Sequence, residues 1–319
     1  MKREIMRKFT ALFSILVTIL PTLLLCGCAN TYGGLELNTD FTEPKHLSDG
    51  GGRRVRVVLL LGQSNATGVA LNSCLASAVG DDKYEVYENG FSNVLINYSV
   101  DNVTNSSNGE FIKATVGCGH TDAYFGPELG MAEALSERYP NELFVILKYT
   151  YSGSCLATQW LNGRERGEIY NACLKFVGTY MDALSSRGYD ASIHAICWMQ
   201  GESDSIDTIA KRYYDNQSRF VNFLRSDLER YASDSGIRFI DAGINNISLW
   251  PEHDVINSAK ERFAEQSPLN IYFSTADEGL TTLNEPIGEP DVAHYDAMSE
   301  LKLGHLFGRH IIKFYEEIN

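Results

Sequence analysis

Four short apolar runs, Val55 to Leu61, Leu143 to Tyr149, Ile193 to Met199 and Ile237 to Ile244, each begin after polar or turn residues. Runs of this kind predict strands buried on both faces of a sheet. Between them, apolar positions recur at helical spacing in Gly126 to Arg138, which opens with Pro127 in a first-turn position, and in Glu168 to Ser186, Asp207 to Ser233 and Asp296 to Glu317. Strand and helix in alternation predict an α/β protein, its mostly parallel sheet covered by helices on both faces. No internal repeat and no shift in composition marks a second domain. The stretch 77–125 interrupts the alternation. It is polar and rich in Asn, Ser and Gly, and reads as an insertion with a hairpin turning at Asn89 and Gly90. An insertion of that length is more often functional than idle.

The N-terminus follows a different pattern. Lys2, Arg3, Arg7 and Lys8 precede an apolar run from Ala11 to Leu25 that is broken by Pro21 and ends in small residues. This is the layout of a secretion signal, too short and too interrupted for a membrane span. The run closes on Leu25, Cys26, Gly27 and Cys28, which resembles the bacterial lipoprotein box with Cys28 as the lipid acceptor. That resemblance implies a lipoprotein signal peptide over residues 1–28, followed by a linker rich in Gly, Asn and Thr over 29–54 and the body of the protein over 55–319. The body would be exported, periplasmic or at the cell surface, and held to the membrane by an N-terminal lipid anchor. A plain cleaved signal peptide is the alternative.

Composition narrows the partners. Of the 319 residues 44% are hydrophobic and 21% charged, an ordinary globular balance. With 41 acidic against 27 basic side chains the net charge is -14, which excludes a surface built to neutralise phosphate backbones, so nucleic acid is no partner. Beyond Cys28 stand Cys74, Cys118, Cys155, Cys173 and Cys197, irregularly spaced and with no CxxC pair. This argues against a structural zinc site and against a disulfide framework. If one pair is oxidised, Cys74 and Cys118, both in loop-like sequence, are the candidates, whereas Cys197 lies in an apolar run and reads as a buried thiol. The histidines form no HExxH, and His253 with Asp254 reads as a lone pair on a solvated loop. No metal or organic cofactor is expected.

In open parallel sheets, ligands bind beyond the carboxyl ends of the strands, so the residues following each predicted strand carry the candidate chemistry. The first strand is followed by Gly62, Gln63, Ser64 and Asn65, a tight polar turn that would lift the Ser64 hydroxyl to the top of the sheet. The third is followed by Gln200, Gly201, Glu202, Ser203 and Asp204, and just ahead of the last helix stand Asp291, Val292, Ala293 and His294. A serine, a histidine and a carboxylate are the minimum for nucleophilic acyl transfer: a base takes the hydroxyl proton, and an acid orients that base and stabilises its cation.

Together, in this order and at strand ends, the three segments resemble the SGNH hydrolase superfamily, in particular the carbohydrate esterase branch that includes acetylxylan esterases and sialate O-acetylesterases. The resemblance spans roughly residues 55–310 and implies a three-layer α/β/α sandwich with a flavodoxin-like sheet. It also implies roles. Ser64 matches the nucleophile and His294, in Asp-x-x-His, the general base. Gly153, within Tyr151-Ser152-Gly153-Ser154, is similar to the glycine whose N–H joins the oxyanion hole, with the Ser64 N–H as second donor. Many superfamily members use an asparagine as third donor; here that position looks like Gln200. Gly126-Pro127-Glu128 and Trp160 also fit the branch, and read equally as a helix start and a core aromatic. The orienting acid has two candidates: Asp291, which has the superfamily spacing to His294, and Glu202, whose strand-end loop could also approach the imidazole. The implied activity is removal of O-acetyl groups from carbohydrates such as acetylated xylan or sialic acid. A lipase-like or thioesterase use of the same triad and a non-catalytic glycan-binding lipoprotein are the alternatives, the last disfavoured by the presence of Ser64, Asp291 and His294 together.

Overall fold

The computed structural model describes residues 34–282 and 291–318, so Cys28, the signal segment and the first residues of the expected linker lie outside it. Six parallel strands form the body of the sheet: β1 (Arg54–Gly62), β2 (Val94–Val100), β3 (Leu143–Thr150), β4 (Asp190–Met199), β5 (Arg238–Ala242) and β6 (Asn270–Phe273). They pair in the order β6-β5-β4-β1-β3-β2, and two short antiparallel pieces, Asn105–Ser106 and Ile112–Lys113, pair with the outer edge of β2. Without β2 the order is the flavodoxin-like one, and the connections reverse direction at β1. The crevice beyond the ends of β1 and β4 is therefore where the topology opens a site.

The helices are α1 (Ser64–Thr67), α2 (Asn72–Val79), α3 (Asp81–Asn89), α4 (Glu128–Arg138), α5 (Glu168–Ser186), α6 (Tyr213–Asp227), α7 (His253–Ala264) and α8 (Ala297–Ile318). One face of the sheet is covered by α5, α6 and α7, where Phe176 packs on Tyr149, Phe220 on Trp198 and Phe263 on Phe239. On the other face α8 lays Tyr315 against Phe144 and Phe307 against Phe273, with α4 packed alongside. This gives the three layers. Each aromatic pair adds edge or offset contacts to the apolar burial that drives the assembly.

The insertion differs from its reading. Asn89 ends helix α3, and the Gly90 N–H closes that helix on the Val86 carbonyl, so there is no hairpin at this point. Four residues later β2 begins, a core strand that the apolar pattern hides because Asn97 and Ser99 interrupt it. Both are buried; Asn97 Nδ2 donates to the Gly109 carbonyl at 2.9 Å, so the loop beyond satisfies the polar group within the strand. The helix expected over Asp207 to Ser233 divides into a single turn, Asp207–Ala210, and α6, the break falling where the Arg212 N–H bonds the Ile209 carbonyl. His253 and Asp254 open helix α7 and do not lie on a loop.

The expected linker is also docked where it is described. Leu35, Leu37, Phe41 and Leu47 pack against the core, and the backbone N–H groups of Leu35, Asn38 and Lys45 bond Glu168, Asn102 and Glu110. Phe41 stands edge-on to Tyr149 and Phe176, so this stretch is a strap laid on the core beside α5. Cys118 is a free thiol, so the candidate pair Cys74 and Cys118 is not joined in a disulfide here. Burial and the neighbouring Glu128 push that thiol up to about 11.

Candidate active site

Gly62 ends β1 at φ +145, and a Cβ there would stand 2.0 Å from the Met199 carbonyl oxygen, so only glycine lets β1 and β4 approach this closely. The chain then turns straight into α1. Gln63 precedes the helix, and its carbonyl accepts the N–H groups of Ala66 and Thr67. Ser64 is thereby the first residue of a helical turn standing on the carboxyl end of β1, 7% exposed.

Asn65 ties this turn to the histidine segment across 230 residues of sequence. Its Oδ1 accepts the Tyr295 N–H at 3.2 Å, and its Nδ2 donates to the Ala293 carbonyl at 3.5 Å and to Glu202 Oε1 at 2.8 Å. One carboxamide thus holds the residues on either side of His294 against the Ser64 turn. The His294 imidazole is oriented by Asp291: Nδ1 lies 2.6 Å from Asp291 Oδ2, while Asp291 Oδ1 accepts the backbone N–H groups of Ala293 at 3.0 Å and His294 at 3.3 Å. Burial pushes the Asp291 carboxyl up, but the hydrogen bond and charge of His294 and the two N–H groups outweigh it, and the carboxyl is held below its ordinary value. Nε2 has no protein hydrogen-bond partner among the described residues, Ser64 Oγ included. Val69, Ala70, Tyr124, Asp291, His294 and Tyr295 line a cavity of about 110 Å³ beside the ring.

Glu202 occupies a different position. It is fully buried, its Oε1 accepts Asn65 Nδ2, and its Oε2 has no hydrogen-bond partner among the described residues. Desolvation raises its pKa, although Asn65, Lys260 and His294 each oppose the shift. Of the two candidate acids, Asp291 makes the hydrogen bond to the imidazole and Glu202 does not.

Gly153 lies at φ +68 in the turn closed by the Ser154 N–H on the Tyr151 carbonyl, a conformation that favours glycine. Among the described residues, neither the Gly153 nor the Ser64 N–H is taken up by a hydrogen bond. Gln200, the expected third donor, differs. It is completely buried, and its Nε2 gives its two protons to Asp204 Oδ2 at 2.7 Å, the Ser154 carbonyl at 3.0 Å and Gln63 Oε1 at 3.2 Å. With both protons committed inside the protein, Gln200 has none left for a substrate oxygen.

Gln200 instead joins the two loops, and Asp204 is the hub that the sequence segment contained but did not reveal. Its carboxylate accepts the N–H groups of Leu156 at 2.7 Å and Ala157 at 3.1 Å as well as Gln200. Burial raises the Asp204 pKa against those hydrogen bonds. Trp160 is a core residue, edge-on to Trp198, and its Nε1 donates to Ser154 Oγ at 2.9 Å, bracing the Gly153 turn from below. Glu128 is also structural. No motif signals Asn65 or Asp204; the only sign of either is its polar character next to a candidate residue. Among the described residues there is no cluster of His, Cys, Asp and Glu able to hold a metal ion.

The fold recurs in solved structures of low sequence identity. An X-ray structure of a protein from Arabidopsis thaliana superposes with a TM-score of 0.60 at 17% identity, covering 81% of this chain and 98% of that one. The crystal structure of NanS superposes with a TM-score of 0.59 at 14% identity, covering 85% and 99%. No curated protein matches the chain. The family model described as "Carbohydrate esterase, sialic acid-specific acetylesterase" matches residues 54–313, from the first strand into the last helix, and the chain belongs to that family.

Proposed function

We propose that the protein is a serine esterase that removes O-acetyl groups from carbohydrates, with Ser64 as nucleophile, His294 as general base and Asp291 as the acid that orients it. The observation that carries this reading is the 2.6 Å contact between Asp291 and His294 Nδ1, in a segment that Asn65 clamps to the Ser64 turn. With Nδ1–H held by Asp291, Nε2 presents a lone pair, the tautomer needed to accept the Ser64 proton. Attack on the ester carbonyl develops an oxyanion, and the unengaged N–H groups of Ser64 and Gly153 suit its stabilisation; removing one such donor typically costs about 3 kcal/mol. His294 then delivers the proton to the departing sugar hydroxyl, water attacks the acetyl-enzyme, and acetate leaves. Family membership supports an acetylated sugar as substrate, with acetylated sialic acid and acetylated xylan the first to assay.

The test is hydrolysis of an O-acetylated sugar by wild type and by Ser64→Ala, each checked for folding by circular dichroism. The variant is expected to lose about 10⁴-fold in kcat. Retention of more than about a tenth of the wild-type rate would overturn the reading.

A further inference from the structure

A second imidazole and carboxylate meet beside the same crevice. Asp101, Asn102 and Val103 follow β2 with φ of 49, 57 and 65, three consecutive non-glycine residues in the left-handed region, the last β-branched. Such a run is costly and persists only where its surroundings hold it. Asn102 is held at both ends of its carboxamide: Oδ1 accepts the Asn38 N–H at 2.6 Å and Nδ2 donates to the Glu36 carbonyl at 3.1 Å. The strained run turns the Asp101 side chain back over the sheet. There it accepts the Ser152 N–H at 2.6 Å, the Ser152 hydroxyl at 3.0 Å and His120 Nδ1 at 2.6 Å.

We propose that His120, oriented by Asp101, accepts a hydrogen bond from a free hydroxyl of the sugar that carries the scissile ester. The carboxylate is 11% exposed and the imidazole 42%, so the pair is rooted in the protein and open at its tip. Asp101 accepts Nδ1–H, which leaves Nε2 as an acceptor with no protein partner among the described residues, and the group complementary to it is a hydroxyl donor. The location suits a substrate contact. Ser152 adjoins Gly153, the His120 N–H bonds the Gly68 carbonyl at the end of α1, and the Tyr124 ring that meets His120 edge-on at 6.3 Å also lines the cavity beside His294. Tyr124 thus links the two imidazoles: it touches the His120 ring and lines the cavity beside His294. The polar insertion 77–125 supplies Asp101, His120 and Tyr124 together, which gives it a role at the site.

This inference rests on the esterase reading only for the identity of the ligand, and its test separates the two. In a Ser64→Ala background, which cannot turn over, binding of O-acetylated sialic acid and of acetylated xylo-oligosaccharide is measured by calorimetry with and without His120→Ala. The added substitution is expected to weaken binding of at least one sugar about tenfold. In the active enzyme, His120→Ala is expected to raise KM for that sugar and to lower its kcat/KM about tenfold more than that for para-nitrophenyl acetate, whose leaving group lacks sugar hydroxyls. His120→Gln, which keeps an acceptor, should restore part of the loss. Unchanged binding in the Ser64→Ala background, or no binding of either sugar, would overturn the proposal. Equal losses on sugar and aryl ester would overturn it too, since they would make the pair a brace for the Gly153 turn. An enzyme that binds the sugar through His120 but hydrolyses neither ester would instead refute the esterase reading.

Discussion

Lys148 and Glu128 form an ion pair at 2.6 Å with neither side chain exposed to solvent. It lies directly beneath α1. Lys148 Nζ also donates to the carbonyls of Thr67 at 2.7 Å and Cys118 at 2.8 Å, and Glu128 Oε1 accepts the Gly126 N–H at 2.8 Å. All three Lys148 protons are thus used, one of them on the last residue of the turn that begins with Ser64.

Lys148→Met is accordingly expected to destabilise the protein by about 3–5 kcal/mol, because it strands the Glu128 carboxylate inside the core. Replacing Glu128 by Gln as well removes that buried charge, and the double variant should recover much of the loss. Urea unfolding of wild type, the two single variants and the double variant checks this as a thermodynamic cycle. Additive effects would show that the pair is not coupled.

Acid should weaken the fold through His194. Burial and then the charges of Arg56 and Arg54 lower its pKa from 6.5 to about 4, and it packs against Tyr315 with Ser192 Oγ 3.1 Å from Nε2. The unfolded chain takes up a proton near its ordinary value while the folded chain resists until about 4. Stability therefore falls as pH drops through this window, by about 3 kcal/mol at its end for one such histidine. His310, half-buried and stacked on Phe273, is lowered to about 4 as well, by desolvation and then by Arg309 and Lys313, and adds to the same slope. Denaturation midpoints measured from pH 7 to pH 4 should decline, and His194→Gln should flatten part of that decline. A wild-type midpoint that is constant over the range would refute the assignment.

Cys28 is proposed to carry the lipid. Membrane fractionation and mass spectrometry of the mature chain are expected to find an acylated Cys28 at the N-terminus, and Cys28→Ser should release the protein from the membrane with its esterase activity intact. A wild-type product cleaved elsewhere and unaffected by Cys28→Ser would refute the anchor and leave the enzyme reading untouched.

Much of this architecture was legible because parallel strands buried on both faces announce themselves as apolar runs: β1, β3, β4 and β5 each coincide with one. Strand β2 was hidden because its polar residues are satisfied by a loop that no local pattern foretells. The Ser64, Asp291 and His294 segments stood out through residue type and order, since triad chemistry needs particular side chains. Asn65, Asp204 and Asp101 did not, because what they do depends on hydrogen bonds across 48 to 230 residues of sequence. Gln200 was misassigned for the same reason: a buried amide can face a substrate or its own loops, and only the positions of Asp204 and Ser154 decide which.

The two carboxylates near His294 should separate cleanly by substitution. Asp291 bonds Nδ1 and is held below its ordinary pKa, so it stays ionised as pH falls toward mild acid; Asp291→Asn preserves shape but disfavours the tautomer that accepts the Ser64 proton. Its kcat is expected to fall by about 10³ to 10⁴ with KM near normal. Glu202 is fully buried, touches Asn65 rather than the ring, and has its pKa raised, chiefly by desolvation. A raised carboxyl favours the folded state below its ordinary value, and that advantage is lost as pH rises through the folded value. Glu202→Gln imitates the protonated acid and keeps an oxygen for Asn65, so it should leave kcat within a fewfold and make the protein more stable than wild type at alkaline pH, with little difference at acid pH. Kinetics on an acetyl ester together with denaturation at pH 5 and pH 9 decide the matter. If Glu202→Gln is well folded but crippled while Asp291→Asn is nearly active, the orienting role belongs to Glu202; comparable losses in both would mean that the imidazole depends on the two carboxylates jointly.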